Sequence, residues 1–213
     1  MTTAPDPYAA RLQIDYSERL DRLSTAFRLI MIIPIAIVLG LLTGSGTSQT
    51  VTETGRAVRS SGGGIVAGLA VATALMIVVR QRYPRWWFDF ALELTRFSAR
   101  VGAYALLLTD RYPSTVDEQS VHLDIDYPDV TRDLTSWMPL VKWFLAIPHY
   151  IVLALLAVGV VLAVIVAWFA ILVTGRYPRA LFDYVLGVSR WALRVQAYML
   201  LLVTDRYPPF SLQ

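Results

Sequence analysis

The sequence predicts an all-α integral membrane protein with four transmembrane helices, arranged as two hairpin repeats of parallel orientation, each followed by an interfacial amphipathic helix. The first observation behind this is composition: 56% of the 213 residues are apolar and 16% are charged, which is outside the usual range of soluble domains. The second is a set of four apolar segments, and the third is an internal repeat. The mean hydropathy of +0.52 agrees with a membrane protein.

The four apolar segments are predicted transmembrane helices at 23–42, 64–80, 137–157 and 158–174. The last two run together without a polar break. A single helix over both would be roughly 55 Å long, nearly twice the thickness of a hydrocarbon core. Length therefore leaves two possibilities for this stretch, one overlong helix or a hairpin.

Internal repetition favours the hairpin. Residues 27–39 match residues 141–153 at an offset of 114, whereas residues 82–90 match residues 176–184 at an offset of 94. The first half thus holds 20 extra residues, within a polar, glycine-rich outer loop at 43–63. Because a polar insertion is tolerated only where the chain has left the bilayer, we expect a tight turn at 157–159. The pattern is that of a tandem duplication, and repeats with two spans each share one orientation.

Two further helices are predicted after the hairpins, because their polar residues fall on one narrow stripe. In the first, Asp89, Glu93, Arg96 and Arg100 recur at spacings of 4, 3 and 4. Such a helix suits the headgroup region of a bilayer, with its wide apolar face towards the chains. The predicted organisation is a cytoplasmic segment at 1–22, repeat 1 at 23–116 with its interfacial helix at 85–108, and repeat 2 at 117–213 with its interfacial helix at 179–202 and a tail at 203–213.

Short β-strands are predicted before each repeat. Residues 12–16 and 121–127 alternate between apolar and polar side chains, which is the period of a strand. We expect the two segments to pair on the cytoplasmic side, with residues 209–212 as a possible third member. An open edge of that sheet is a site where a partner strand can add.

Charge and residue counts restrict location and chemistry. Nearly all of the 19 basic residues flank the apolar segments rather than forming a patch, so we expect a bacterial inner-membrane protein with cytoplasmic N and C termini and no nucleic-acid partner. The chain has no cysteine and two histidines, so disulfides are excluded, and we expect neither a metal site nor a cofactor.

Three sets of candidate site residues follow. Arg28 and Lys142 occupy equivalent positions in the two repeats, and we expect them to pair with Asp89 and Asp183; the alternative is that each cation reaches a lipid phosphate. His149 and Tyr150 form a candidate polar site in the membrane, as a proton relay or as a packing contact beside Pro148. The candidate interfacial docking residues are Tyr83, Arg85, Trp86, Trp87, Arg96, Arg100, Tyr177, Arg179, Arg190 and Arg194.

Several motifs together resemble a known family. They are Ile125-Asp126-Tyr127-Pro128, Val141-Lys142-Trp143 with Ala146-Ile147-Pro148-His149-Tyr150, Tyr177-Pro178-Arg179 with Phe182-Asp183, and residues 204–212, which begin Thr-Asp-Arg-Tyr-Pro-Pro-Phe. The chain resembles a bacterial tandem-repeat membrane family catalogued as a domain of unknown function. The first repeat departs from the pattern, with Ile35-Ala36 in place of His-Tyr and Ser114 in place of the second proline. The resemblance implies no activity.

The expected function is interaction rather than catalysis. No Asp or Glu lies in the predicted spans, which argues against an ion-coupled pump, and no nucleophile, paired-carboxylate or phosphate-loop pattern recurs in both repeats. We expect a non-catalytic membrane scaffold or accessory subunit that contacts lipids and binds a membrane-protein complex or itself. The alternative is a small lipid-handling or solute transporter with a path between the two repeats.

Overall fold

The computed structural model describes residues 8–43, 47–51, 57–61, 65–114 and 119–213, and these are mostly helical. In chain order the elements are β1 Ala10–Ile14, α1 Arg22–Thr43, β2 Thr47–Val51, β3 Ala57–Ser61, α2 Ile65–Arg80, α3 Arg85–Ala105, β4 Val121–Ile125, α4 Val130–Asp133, α5 Met138–Leu145, α6 Ile147–Thr174 and α7 Arg179–Met199.

Two helical stretches are long and apolar enough to cross a membrane. They are Arg22–Thr43, with a mean hydropathy of 2.4, and Met138–Thr174, with a mean hydropathy of 3.1. Only 11% and 17% of their most apolar windows are buried by the rest of the chain. Their apolar side chains therefore face outwards, unlike those of a core helix in a soluble protein. Helix α2 is also apolar but has 16 residues, fewer than the roughly 20 that a full span needs.

The predicted turn at 157–159 is wrong. Helix α6 runs without interruption from Ile147 to Thr174, and the break in the apolar stretch comes earlier, at Ala146. Nothing between residues 150 and 170 turns a chain: there is no proline and no polar run, and the single glycine, Gly159, packs against Tyr184. A helix satisfies the backbone of such a segment internally, whereas a turn among apolar side chains leaves polar groups unpaired. The arrangement of four spans is therefore not supported.

The predicted pairing of the two short strands is confirmed. β1 and β4 pair antiparallel with Leu12 opposite Leu123, at the centre of the register. Apolar side chains of both strands face inwards in alternation. The tail at 209–212 does not extend this sheet. In the predicted outer loop, β2 and β3 form a separate antiparallel hairpin.

Helices α1 and α6 are joined near one end. The backbone N–H of Leu20, just before α1, donates to the carbonyl of Gly175, which ends α6 in a left-handed conformation (φ 71°). Close by, the indole N–H of Trp168 donates to the carbonyl of Thr25 over 3.1 Å. The beginning of α1 and the end of α6 therefore lie on the same side of the molecule.

Helices α3 and α7 occupy the positions of the two predicted interfacial helices. Helix α7 packs against both α6 and β1, and α3 packs against α1 and β4. We call the assembly of α3, α7, β1 and β4 the polar layer. Helix α3 reaches α1 near its beginning, where Arg28 donates to the carbonyl of Tyr104. Helix α7 reaches the beginning of α6, where the indole of Trp191 donates to His149.

Candidate functional site

Arg28 is buried where α1 meets the segment after α3. Only 2% of the residue is exposed. Its Nη1 atom donates to the carbonyls of Tyr104 and Thr109, over 3.2 and 2.9 Å, and its Nη2 atom pairs with the carboxylate of Asp110. The same carboxylate accepts the backbone N–H of Asp21 over 2.6 Å. The buried charge is therefore both paired and hydrogen-bonded, which is the condition for burying it at all.

Lys142 is held in the same way in the second half. It is fully buried; its Nζ atom lies 2.7 Å from the carbonyl of Thr204 and 2.8 Å from Oδ1 of Asp205. Oδ2 of Asp205 accepts the backbone N–H of Thr135 over 2.6 Å. The ring of Tyr198 lies 5.1 Å from Nζ, as Tyr104 lies 4.6 Å from the guanidinium of Arg28. Each of these two clusters joins a helix to the Thr-Asp-Arg-Tyr-Pro motif of its own half.

The structure corrects the predicted partners of these cations. They pair with Asp110 and Asp205, whereas Asp183 lies on the surface 3.5 Å from Arg179. The alternative of reaching a lipid phosphate is also wrong, because both cations are enclosed by protein. The true carboxylates were missed because they lie just beyond the predicted interfacial helices at 85–108 and 179–202. Their recurrence in both halves, two residues after the last apolar residue, was the available signal.

The two Tyr-Pro-Arg-x-x-Phe motifs each receive a tyrosine from the segment after a strand. Tyr16 donates its hydroxyl to the carbonyl of Tyr177 over 2.6 Å and meets the ring of Phe182 edge-on at 5.0 Å. The guanidinium of Arg179 lies 4.4 Å from the Tyr16 ring. The segment that precedes the first half therefore docks on the second.

The segment that precedes the second half docks on the first half through the same kinds of contact. Tyr127 donates to the carbonyl of Tyr83, meets Phe88 edge-on at 5.1 Å, and lies 5.0 Å from the guanidinium of Arg85. Tyr83 and Tyr177 are 4% and 1% exposed. Both are thus unavailable to a partner, and their assignment as docking residues is wrong.

Arginines on the polar stripes of α3 and α7, which we call the stripe arginines, bind the backbone of the chain itself. Arg96 donates from Nε to the carbonyl of Leu123 over 3.0 Å, and Arg190 donates from Nε to the carbonyl of Leu12 over 2.9 Å. Because Leu12 and Leu123 face each other, the two arginines hold the sheet from both sides. These side chains stabilise the polar layer rather than serving as docking residues.

Two more predicted docking arginines are used internally. Arg100 donates to the carbonyl of Ser114 over 2.7 Å, and Arg194, which is 2% exposed, donates to the carbonyl of Ser211 over 3.3 Å. Each ties the segment that follows its helix back onto that helix. Among the predicted docking residues, the exposed ones are Arg85, Trp86 and Arg179, and Trp87 is half-buried.

His149 lies in an aromatic enclosure formed by α7 and the tail. Its Nδ1 atom accepts the indole N–H of Trp191 over 3.1 Å, and its ring stacks on Phe210 with centroids 4.1 Å apart. Tyr207 covers it at 4.7 Å. Tyr150 points elsewhere and donates to the sulfur of Met199. His149 has no exposed surface. Its contacts are those of a packed side chain, the second of the two expected roles, rather than those of a proton relay.

A cavity of about 330 Å³ lies between α2, α3 and α7. Its walls come from both halves of the chain, including Leu69 and Thr73 of α2, Trp87 and Thr95 of α3, and Gln196 of α7. None of the described residues that line it is charged. Across the part of the chain that the structure describes, no group of three or more His, Asp or Glu is placed to hold a metal ion.

Comparison with known families gives a match for part of the chain. Residues 137–211 match DUF4389, a domain of unknown function. The DUF4389 match begins just before α5 and ends in the tail, so it includes Lys142, Asp205 and the enclosure of His149. No curated protein and no solved structure matches the chain significantly.

Proposed function

We propose that the chain is a non-catalytic membrane scaffold or accessory subunit, which binds a membrane-protein complex or a second copy of itself through the polar layer. The supporting observation is the outer face of α3. Trp86, Asp89, Phe90 and Glu93 recur there at helical spacing, and all four are exposed. Trp86 and Phe90 are 69% and 48% exposed, and aromatic side chains of this kind anchor protein interfaces.

Two positions of the corresponding face of α7, Tyr184 and Gly187, are covered by the chain itself. Tyr184 donates to the carbonyl of Leu156 on α6, and Gly187 lies directly under Leu212 of the tail. Only α3 thus offers an open aromatic face among the two. Glu93 pairs with Arg96 over 2.7 Å, and Asp89 is exposed beside the aromatic side chains. Because both carboxylates lie on this face, it suits a protein surface better than the anionic surface of a bacterial membrane.

The test is copurification from native membranes in mild detergent. Trp86→Ala is expected to reduce the yield of a stoichiometric partner, or of the dimer, by tenfold or more, since a central aromatic anchor carries about 2 kcal/mol or more. Trp137→Ala is the matched control, because Trp137 is 59% exposed outside this face. Equal loss in both variants, or no associated protein with the wild-type chain, contradicts the proposal.

We further propose that the two halves are copies of one unit and that the termini are cytoplasmic in a multi-pass inner-membrane protein. Support comes from the matching pairs Arg28–Asp110 and Lys142–Asp205 and from the shared polar layer, which holds residues near both termini. Because the chain has no cysteine, Ser17→Cys and Ser211→Cys are clean probes. Both are expected to react with an impermeant thiol reagent in inverted vesicles but not in spheroplasts.

Lipid or solute transport is the second candidate. The observation that favours it is the cavity, which both halves line at the position expected for a path between them. Reconstituted vesicles distinguish the two candidates: solute flux or lipid flip above that of empty vesicles, abolished by filling the cavity with Thr95→Leu, supports transport. Flux through wild-type vesicles that equals the flux through empty vesicles contradicts transport.

A further inference from the structure

The cavity between α2, α3 and α7 has the shape and chemistry of a site for a single molecule. Its volume of about 330 Å³ falls at the lower end of the range typical of small-ligand sites. The walls are mainly apolar, with Val66 and Leu69 from α2 and Leu94 from α3. An apolar chain is therefore favoured along most of its length.

The hydroxyl groups in the walls are already occupied as donors. Thr73, Thr95 and Ser98 each donate to the carbonyl four residues earlier in their own helix, over 2.7 to 2.8 Å. Tyr83 donates to the carbonyl of Leu201 over 2.9 Å. These groups stabilise the helices and the contact with the second half, and they leave little for a polar ligand to accept.

A buried donor in the wall has no acceptor. The indole N–H of Trp87 is buried, and it has no hydrogen-bond partner among the described residues. A buried N–H without a partner costs roughly 1–3 kcal/mol, and this cost is removed when a ligand supplies an acceptor. The absence of charge in the cavity wall favours a neutral acceptor such as an ester carbonyl.

A neighbouring cleft offers a place for the part of a ligand that extends out of the cavity. Tyr83 lines both the cavity and an open cleft of about 660 Å³. The cleft is also lined by Arg80 at the end of α2, by Arg82 just after it, and by Asp129, whose carboxylate accepts from Thr131. Arg80 and Arg82 are both exposed. Arginines at the end of an apolar helix are suited to phosphate.

We propose that the cavity binds one acyl chain of an anionic phospholipid from the surrounding bilayer, with its ester carbonyl at the indole N–H of Trp87 and its phosphate at the cleft of Arg80 and Arg82. The site binds lipid as a structural component of the protein. It does not depend on the partner proposed for the outer face of α3.

The experiment is native mass spectrometry of the protein from nanodiscs that contain equal amounts of phosphatidylglycerol and phosphatidylcholine. The wild-type protein is expected to retain one phosphatidylglycerol. Thr95→Leu, which fills the cavity, is expected to lose it, and Ala105→Leu on the exposed side of the same helix is expected to keep it. The paired variant Arg80→Gln with Arg82→Gln is expected to retain one lipid without preference between the two headgroups.

Trp87→Phe tests the hydrogen bond separately, because it keeps the apolar wall and removes the donor. Retention of the lipid is expected to fall by about fivefold, the size of one neutral hydrogen bond. Wild-type protein without bound lipid, or equal retention in wild type, Thr95→Leu and Trp87→Phe, overturns the proposal. Retention of a free fatty ester but not of phospholipid overturns the bilayer source.

Discussion

Lys142 of α5 and Asp205 of the tail form an ion pair of 2.8 Å in which the lysine is fully buried and the carboxylate keeps 17% of its side-chain exposure. The pair fixes the C-terminal segment to the start of the long apolar stretch. Arg28 and Asp110 make the corresponding connection between α1 and the segment after α3. The polar layer is therefore attached to the apolar helices at two points of like construction.

The unequal burial of this pair predicts unequal costs. Asp205→Asn leaves a buried ammonium without its counter-charge and is expected to cost about 3 kcal/mol, whereas Lys142→Met leaves only a partly exposed carboxylate and costs less. Denaturant unfolding in micelles gives both values, and a double-mutant cycle is expected to show coupling above about 1 kcal/mol. Asp183→Asn, on the surface, is the control with an effect within about 0.5 kcal/mol. Strict additivity of the two substitutions is the outcome that contradicts the pair.

Arg28 is expected to tolerate lysine poorly. Its guanidinium reaches two carbonyls and one carboxylate from two nitrogens, and a lysine ammonium does not reproduce that planar fork. Arg28→Lys is expected to lower the free energy of unfolding by about 1–3 kcal/mol. Arg11→Lys is the matched control, since Arg11 pairs with Asp126 at the surface. Equal effects of the two substitutions contradict the buried network.

Gly187 is expected to control the docking of the tail. A Cβ atom at this position would lie 2.7 Å from the carbonyl oxygen of Leu212, so Gly187→Ala is expected to displace the tail and expose His149, which is fully buried. Carboxypeptidase digestion and tryptophan fluorescence report the displacement. Gly102→Ala on α3 meets nothing within 4 Å and is expected to be neutral or to stabilise by about 0.5–1 kcal/mol. Unchanged protection of the tail in Gly187→Ala contradicts this account.

The buried phenol of Tyr177 predicts a sensitivity to alkaline pH. Burial raises the pKa of Tyr177 above its ordinary value, so the folded state favours the neutral phenol. This contribution to stability is fully present below the unfolded pKa of about 10 and is lost as the pH rises above it towards the folded pKa. Tyr177→Phe is expected to shift the midpoint of alkaline unfolding upwards.

The same substitution is expected to have little effect at neutral pH. The Tyr177 hydroxyl has no hydrogen-bond partner within the described part of the chain, so its removal leaves nothing unpaired. Tyr112→Phe is the control, because Tyr112 is 45% exposed. An alkaline midpoint that is the same in the wild type and Tyr177→Phe contradicts the prediction.

The sequence predicted a mostly helical chain with helices long and apolar enough to cross a membrane, and the pairing of β1 with β4, since both follow from composition and local periodicity. It did not predict the continuity of α6, because the comparison of the two repeats placed a turn at 157–159 opposite the polar insertion of the first half, where no local residue turns the chain. The partners of Arg28 and Lys142 were also missed. Asp110 lies 82 residues from Arg28 and Asp205 lies 63 from Lys142, and periodicity carries no information on contacts at such separations.

The stripe arginines illustrate the same limit. Their spacing on α3 and α7 located one helix face correctly, but it did not show whether that face meets solvent or the chain's own backbone. Arg96 binds a carbonyl of β4, and Arg190 binds a carbonyl of β1. Each arginine thus contacts the strand that precedes the other half of the chain. The open face is instead the neighbouring one, with Trp86 and Phe90.

The most direct test of the scaffold proposal is site-specific photo-crosslinking in living cells, with a photoreactive amino acid in place of Trp86 and, as a control, in place of Trp137. The account predicts that position 86 gives one protein adduct of defined mass, either a dimer or a single partner, and that Glu93→Lys abolishes it. Adducts to lipid alone at position 86, or the same protein adducts at both positions, would contradict the account.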